Sequence, residues 1–188
     1  MKKRLFIAID VPKRIKGKIV ELQKNLKTNL QNAIWVRPDN IHLTLVFLDD
    51  TDYNQIPEII STLAKLKDDA FWITFTNIDG FPHLSRAHTI WIGVQDNLGL
   101  FYLHKKIAER LRKLNLRIDE KKFIPHITLA RIKKAKNVTS ALATFNKINL
   151  GKFKVKEFIL FESELNPEGP KHKSIKKFSL ENGGNYGF

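Results

Sequence analysis

Two short segments of this chain repeat. Pro38-Asp39-Asn40-Ile41-His42-Leu43-Thr44-Leu45 is echoed by Ile124-Pro125-His126-Ile127-Thr128-Leu129, and each reads His-aliphatic-Thr-Leu shortly after a proline. The copies stand 84 residues apart in a chain of 188, close to half its length. Proline biases the residue before it away from the helical region, so each motif opens a new element. The aliphatic-polar alternation that follows has the period of a strand. Any fold must therefore supply two similar strands, one in each half, and the halves look like a decayed duplication.

The rest of the chain fits around those strands. Lys3 to Ile9 is a near-continuous apolar run that suits a strand covered on both faces. Pro12 then sits where a helix begins, and Ile15, Ile19, Leu22, Leu26 and Leu30 make one apolar stripe. Ile34 to Val36 is a short extended piece ahead of the turn Arg37 to Asn40, and Ile41 to Leu48 is a strand. Ile56 to Leu66 repeats at helical spacing, while Phe71 to Thr76 alternates as a strand does. Asp79-Gly80 and Pro82 mark residues 78–85 as a loop, followed by a strand at His88 to Val94. Leu100 to Leu114 is a third amphipathic helix, His126 to Ile132 a strand, and Val138 to Ile148 a shorter helix capped by Asn137 or Thr139. Strands at Phe153 to Leu160 and Ile175 to Leu180 close the chain, with a loose tail at Asn182 to Asn185. The expected class is α+β, a single domain over residues 1–188 with mixed or antiparallel sheets, each laying one face on the amphipathic helices.

Composition removes several classes of function. Hydrophobic residues are 43% and charged residues 28%, as in ordinary globular domains, and there is no cysteine. Thiol nucleophiles, Cys-based zinc sites and thiolate redox centres are excluded. No Gly-x-Gly-x-x-Gly follows a strand, and no Walker-type loop occurs. A formal net charge of +14 favours polyanionic partners, although a lysine-rich surface kept for solubility reads the same way. The opening Met1-Lys2-Lys3-Arg4 imitates a secretory leader, but Asp10 and Pro12 cut the apolar run short of the ~7–15 residues one needs. No later run approaches the ~20 residues of a membrane span. A cytoplasmic monomer with no membrane partner is expected.

The motifs carry the chemistry. Residues i and i+2 of a strand share a face. His42 and Thr44 therefore point one way, with Ile41, Leu43, Leu45 and Phe47 opposite, and His126 with Thr128 opposes Ile127 and Leu129 in the same manner. If the halves pack about a twofold, both pairs surround one small anionic group. In-line displacement at a phosphodiester needs a base on the nucleophile and an acid on the leaving oxygen. Two imidazoles suit both roles, each typically worth roughly 10²–10⁴-fold. Two hydroxyls can hold the non-bridging oxygens. One His-x-Thr at a strand start is more often a satisfied edge pair than a site; two copies at half-chain spacing are a much stronger signal. Paired His can also bind zinc, but no third ligand is apparent; Asp10 or Asp39 would serve only by accident of folding. Lys133, Lys134 and Lys136 could follow a nucleic-acid backbone or simply be solvated. His83, His88 and His104 read as surface residues, Trp35, Trp72 and Trp91 as core, and His172 as part of a loop spanning 167–172.

At these residues the chain resembles the two-histidine (2H) phosphoesterase superfamily, and within it the RNA 2′,3′-cyclic phosphodiesterases, also called 2′-5′ RNA ligases. Arg4 to Asp10 resembles their opening strand, Ile41 to Leu48 and Phe123 to Arg131 their paired motifs, and Phe161 to Pro170 their closing segment. The resemblance implies a two-lobed, pseudo-twofold α+β fold in which two small, mainly antiparallel sheets face a central cleft with the helices outside. It also implies metal-independent opening of an RNA 2′,3′-cyclic phosphate to a 2′-phosphate end, with no cofactor, in RNA processing. By position His42 would donate the proton to the leaving 3′ oxygen and His126 would accept one from water. The residues alone leave open which imidazole does which. Thr44, Thr128 and Arg131 would bind phosphate, although strand parity sets Arg131 opposite His126 unless the strand bulges or ends there. Substrates would be RNA ends or small cyclic nucleotides. Ligation or cleavage of 2′-5′ linkages, and a non-catalytic RNA-end binding module, are the alternatives. Relatives usually have Gly where Asp49 stands and an aromatic residue where His172 stands; the second difference bears on the nucleobase contact.

Overall fold

The computed structural model describes residues 1–119, 121–145, 148–167 and 169–181, with the backbone alone for Asp49. The expected tail at Asn182 to Asn185 lies outside the described residues. In chain order the elements are β1 (Lys2–Asp10), α1 (Lys13–Lys27), β2 (Ala33–Trp35), β3 (His42–Asp52), α2 (Ile56–Ala64), β4 (Phe71–Phe81), β5 (Ala87–Val94), α3 (Leu98–Arg112), β6 (His126–Lys136), α4 (Thr139–Leu142), β7 (Lys152–Val155), β8 (Glu157–Asn166) and β9 (Gly169–Ser179). Hydrogen bonding joins the strands into one sheet of order β7-β4-β5-β6-β3-β1-β8-β9, with β2 paired to β6. Every named strand pair is antiparallel.

The expectation of two separate sheets is corrected by this single path, yet the path has a narrow waist. Strands β9-β8-β1-β3 form one group and β6-β5-β4-β7 the other, and their paired register is the one bridge Leu43–Ile127. That bridge falls on the residue between His and Thr in both motifs. Leu5 to Ile9 are all buried, as the unbroken apolar run requires. The stripes of α1, α2 and α3 are also buried (Ile15, Ile19, Leu26; Ile59, Leu63; Leu103, Ile107, Leu111), so the helices cover the face that holds Leu43 and Ile127. The opposite face carries the motif histidines and threonines.

Several boundaries differ from expectation. Residues 78–81 continue β4 instead of looping, because Asp79-Gly80 serves a close approach: a Cβ on Gly80 would stand 2.9 Å from the Ala87 Cβ. His172 lies in β9, opposite Ser163, not in a loop. The run from Phe153 to Leu160 is two strands separated at Lys156. The helix expected over 138–148 is one short turn, α4, followed by a 3₁₀ turn at Ala143–Phe145; residues 146 and 147 lie outside the described residues. No helix among the described residues is long and apolar enough to cross a membrane.

Candidate active site

The Leu43–Ile127 bridge organises the site. Continuing its antiparallel register sets His42 across from Thr128 and Thr44 across from His126, and all four point away from the buried Leu43 and Ile127. One small patch of sheet surface thus gathers two imidazoles and two hydroxyls from opposite halves of the chain.

Each ring is oriented by the carbonyl two residues before it. His42 Nδ1 donates to the Asn40 oxygen at 2.7 Å, and His126 Nδ1 donates to the Ile124 oxygen at 2.7 Å. A proton held at Nδ1 leaves Nε2 of the neutral ring as the free basic atom. At His42 that Nε2 lies 3.1 Å from the Thr44 hydroxyl. The prolines of the two motifs matter here, because the turn Pro38–Asn40 and the segment ending at Pro125 hold those carbonyls against the rings. The Asn40 side chain also donates to the Pro170 oxygen at 2.6 Å, tying this turn to β9.

Both imidazoles are held neutral. His42 is pushed down from 6.5 to about 4, chiefly by burial, then by the neighbouring His172 and by Lys16, while the Asn40 carbonyl and Asp10 work against the drop. His126 is lowered too, first by burial and also by the positive charge of Arg131, with the Ile124 carbonyl opposing. His172 is lowered by burial alone.

Aromatic rings wall the two sides, and of them the sequence ties only His172 to the site, through the nucleobase contact. Around His42 stand Phe6 at 5.0 Å between ring centres, Phe161 at 6.5 Å and His172 at 5.2 Å, edge-on. Around His126 stand Phe81 at 4.9 Å and Trp91 at 5.7 Å, the latter two stacked on each other. Trp91 is therefore a wall of the site and not plain core; its register partner is Thr128. Trp72 is half exposed and Trp35 packs partly buried against the core. His104 is not a surface residue either: it is partly buried, stacked flat on Phe123 and bonded through Nδ1 to the Leu45 oxygen. His83 and His88 are exposed as expected, and Lys133, Lys134 and Lys136 lie exposed along the far end of β6.

Strand parity fails at two matching places. The β1–β3 register steps from Ala8–Thr44 to Ile7–Val46, skipping Leu45, and the β5–β6 register steps from Trp91–Thr128 to Ile90–Ala130, skipping Leu129. Each step is a bulge, which shifts the alternation by one. Phe47, expected opposite His42, is instead half exposed with its ring 6.3 Å from Phe6 on the His42 side. Arg131 likewise returns to the His126 side and is exposed. No group of three or more His, Cys, Asp or Glu among the described residues could hold a metal ion.

A mostly antiparallel, curled sheet backed by helices, with two His-x-Thr strands meeting at one bridge, defines a phosphoesterase of the two-histidine class. A family model described as the 2′-5′ RNA ligase superfamily matches residues 11–167, and the chain belongs to that family. It is 32% identical to the RNA 2′,3′-cyclic phosphodiesterase of Archaeoglobus fulgidus, over 93% of this chain and 99% of that one. The like-named protein of Methanocaldococcus jannaschii is 31% identical over 93% and 99%. Among solved structures, E. coli LigT complexed with 3′-AMP aligns with a TM-score of 0.83 at 23% identity, covering 96% of this chain and 99% of that one. The protein TT0787 of Thermus thermophilus aligns at 0.79 with 25% identity, over 95% and 98%. With relatives so named along nearly its whole length, the chain is an enzyme that acts on phosphodiester bonds.

Proposed function

We propose that this protein hydrolyses RNA 2′,3′-cyclic phosphate ends to 2′-phosphate ends without a metal ion. The observation that carries the reading is the bridge-centred cluster, in which each imidazole is held at Nδ1 by a carbonyl, leaving Nε2 free, and the register sets each histidine across from the other motif's threonine. Water attacks phosphorus and its proton passes to His126 Nε2. The bond from phosphorus to the 3′ oxygen breaks, and His42 Nε2 gives that oxygen a proton. Thr44, Thr128 and Arg131 hold the non-bridging oxygens as charge shifts onto them. His42, neutral when free, takes up its proton as the anionic substrate arrives.

The two strand groups are read as lobes of a single domain related by a pseudo-twofold axis through the Leu43–Ile127 bridge. The matching bulges support this, as do the pairs Asp10–His42 and Gly93–His126 in equivalent registers. The names of the relatives support the substrate, and the family's name keeps joining or cleaving 2′-5′ linkages as the competing outcome.

His42→Ala and His126→Ala should each lower turnover of a 2′,3′-cyclic nucleotide by roughly 10²–10⁴-fold while the fold persists. The product should carry its phosphate on the 2′ oxygen, and EDTA should leave the rate unchanged. Retained turnover in either variant removes the acid/base pairing, and a 3′-phosphate product removes the assignment of the leaving oxygen.

A further inference from the structure

Gln23 sits on the apolar stripe of α1, between Ile19 and Leu26, where a leucine would meet every packing need. It is only 4% exposed, one of two buried polar residues among those described. A buried amide is costly unless its hydrogen bonds are made, so its presence asks for a reason beyond packing. Its Nε2 donates to the Leu129 oxygen at 3.0 Å and to the Val36 oxygen at 3.0 Å, while Val36 N–H donates to the same Leu129 oxygen at 2.9 Å.

Leu129 is the residue skipped at the β6 bulge. The residue skipped at the β3 bulge is Leu45, and its carbonyl accepts from His104 Nδ1 at 2.8 Å. A bulge interrupts the ladder, so the backbone groups there need partners from elsewhere. Here the partners are crossed. The helix α1 follows β1, in the strand group that contains β3, yet its glutamine reaches β6. The helix α3 follows β5, in the group that contains β6, yet its histidine reaches β3. His104 further lies flat on Phe123, at 4.0 Å between ring centres and 5° between planes, three residues before His126. One side chain thus touches the approaches to both motifs.

We infer that Gln23 and His104 are positioning residues for the active site: each holds the bulge in the other group's motif strand. The bulges turn Phe47 and Arg131 to the same side as the His–Thr pairs, so the crossed hydrogen bonds fix both the phosphate-facing arginine and the backbone just after Thr44. They also couple the two strand groups, which otherwise share one paired register position at the waist. The inference rests on the hydrolytic reading above only for its kinetic consequence.

The test uses the full chain with Gln23→Met, His104→Phe and His104→Asn. Methionine keeps the shape and helix preference of glutamine without a donor. Phenylalanine keeps the stack on Phe123, and asparagine keeps an N–H at the position of Nδ1. Backbone amide spectra should move across the waist: Gln23→Met at residues 129–132, His104→Phe at residues 44–47, each more than in its own strand group. With a 2′,3′-cyclic nucleotide, Gln23→Met should raise KM roughly tenfold with little change in kcat, as when a hydrogen bond to a charged group is lost. His104→Phe should lower kcat roughly ten- to a hundredfold through displacement of the His42 strand. His104→Asn should restore both the spectrum and kcat, and it carries the test if His104→Phe does not fold. Amide changes confined to the substituted helix and its own group overturn the inference, as do folded variants with unchanged kcat and KM. A wild-type protein inactive on cyclic nucleotides refutes the hydrolytic reading instead, while the amide spectra still decide the positioning role.

Discussion

Seating a phosphate against His42 should return its imidazole to physiological titration. In the free protein the ring is held at about 4, because burial strips water from the charged form and His172 and Lys16 add positive field around it. An anion hydrogen-bonded to Nε2 would put one negative charge ~4 Å from the ring, worth about 4 kcal/mol at the effective dielectric of a protein surface. At about 1.4 kcal/mol per pH unit, that lifts the pKa by about three, to about 7. A dianion would add to this, and sharing with Thr44, Thr128 and Arg131 would take some back. Long-range imidazole ¹⁵N–¹H spectra recorded from pH 3.5 to 8.5, with and without saturating inorganic phosphate, follow His42, whose signals are assigned by their loss in His42→Ala. A free midpoint near 6.5 would refute the burial account. A midpoint left near 4 by phosphate would refute the placement of the anion beside this ring, and with it the donor role proposed for His42. In kinetics, kcat reports the loaded enzyme, so its alkaline limb should fall near the raised value while the free enzyme's ring stays at the low one.

Acid should also cost stability. His42, His126, His104 and His172 are all lowered in the folded state, so the unfolded chain binds protons that the native chain does not. The sign follows from linkage: this contribution is present above about 6.5 and is lost as pH falls toward 4, with His42 alone on the order of 3 kcal/mol. Guanidinium midpoints at pH 7.5 and 4.5 measure it, and equal midpoints would contradict the shared lowering. Gly93→Ala should disturb the His126 end of the site, because Gly93 pairs with His126 and a Cβ there would stand 2.2 Å from Thr76 Oγ1. Roughly 1–3 kcal/mol of overpacking is expected. Turnover should fall with it, and an alanine variant of wild-type stability and rate would show that the strand gives way freely.

The sequence made the helices and the motif strands legible because each was written as a period. Ile15 to Leu26 and Leu100 to Leu111 are buried stripes as spaced, and Leu43 and Ile127 lie opposite their histidines as alternation requires. What escaped was whatever breaks a period. A bulge has no compositional signature, so Phe47 and Arg131 read as facing away when each faces the site. Asp79-Gly80 carries turn chemistry, yet its glycine is there to admit Ala87, and β4 runs through it. His104 read as a solvent-facing polar residue on an amphipathic helix, and Gln23 drew no notice, because the carbonyls they serve lie far off in sequence. His172 and Trp91 were placed by pairing partners, Ser163 and Thr128, that no local pattern names.

The equivalence of the two motifs explains how a site gathers, and its breakdown explains how such a site could act directionally. Position for position, the bulges deliver Phe47 on one side and Arg131 on the other. The residue paired with the motif histidine is Asp10 in one case and Gly93 in the other. Two identical imidazoles in identical surroundings could not divide acid from base work, since each would hold its proton equally well. Here His42 sits among Phe6, Phe161 and His172, with Lys16 and Asp10 acting on its charge, while His126 sits among Phe81 and Trp91 and feels Arg131. Divergence of the side chains around a shared backbone pattern would therefore be the route by which a symmetric cradle acquires the proton donor and proton acceptor proposed here.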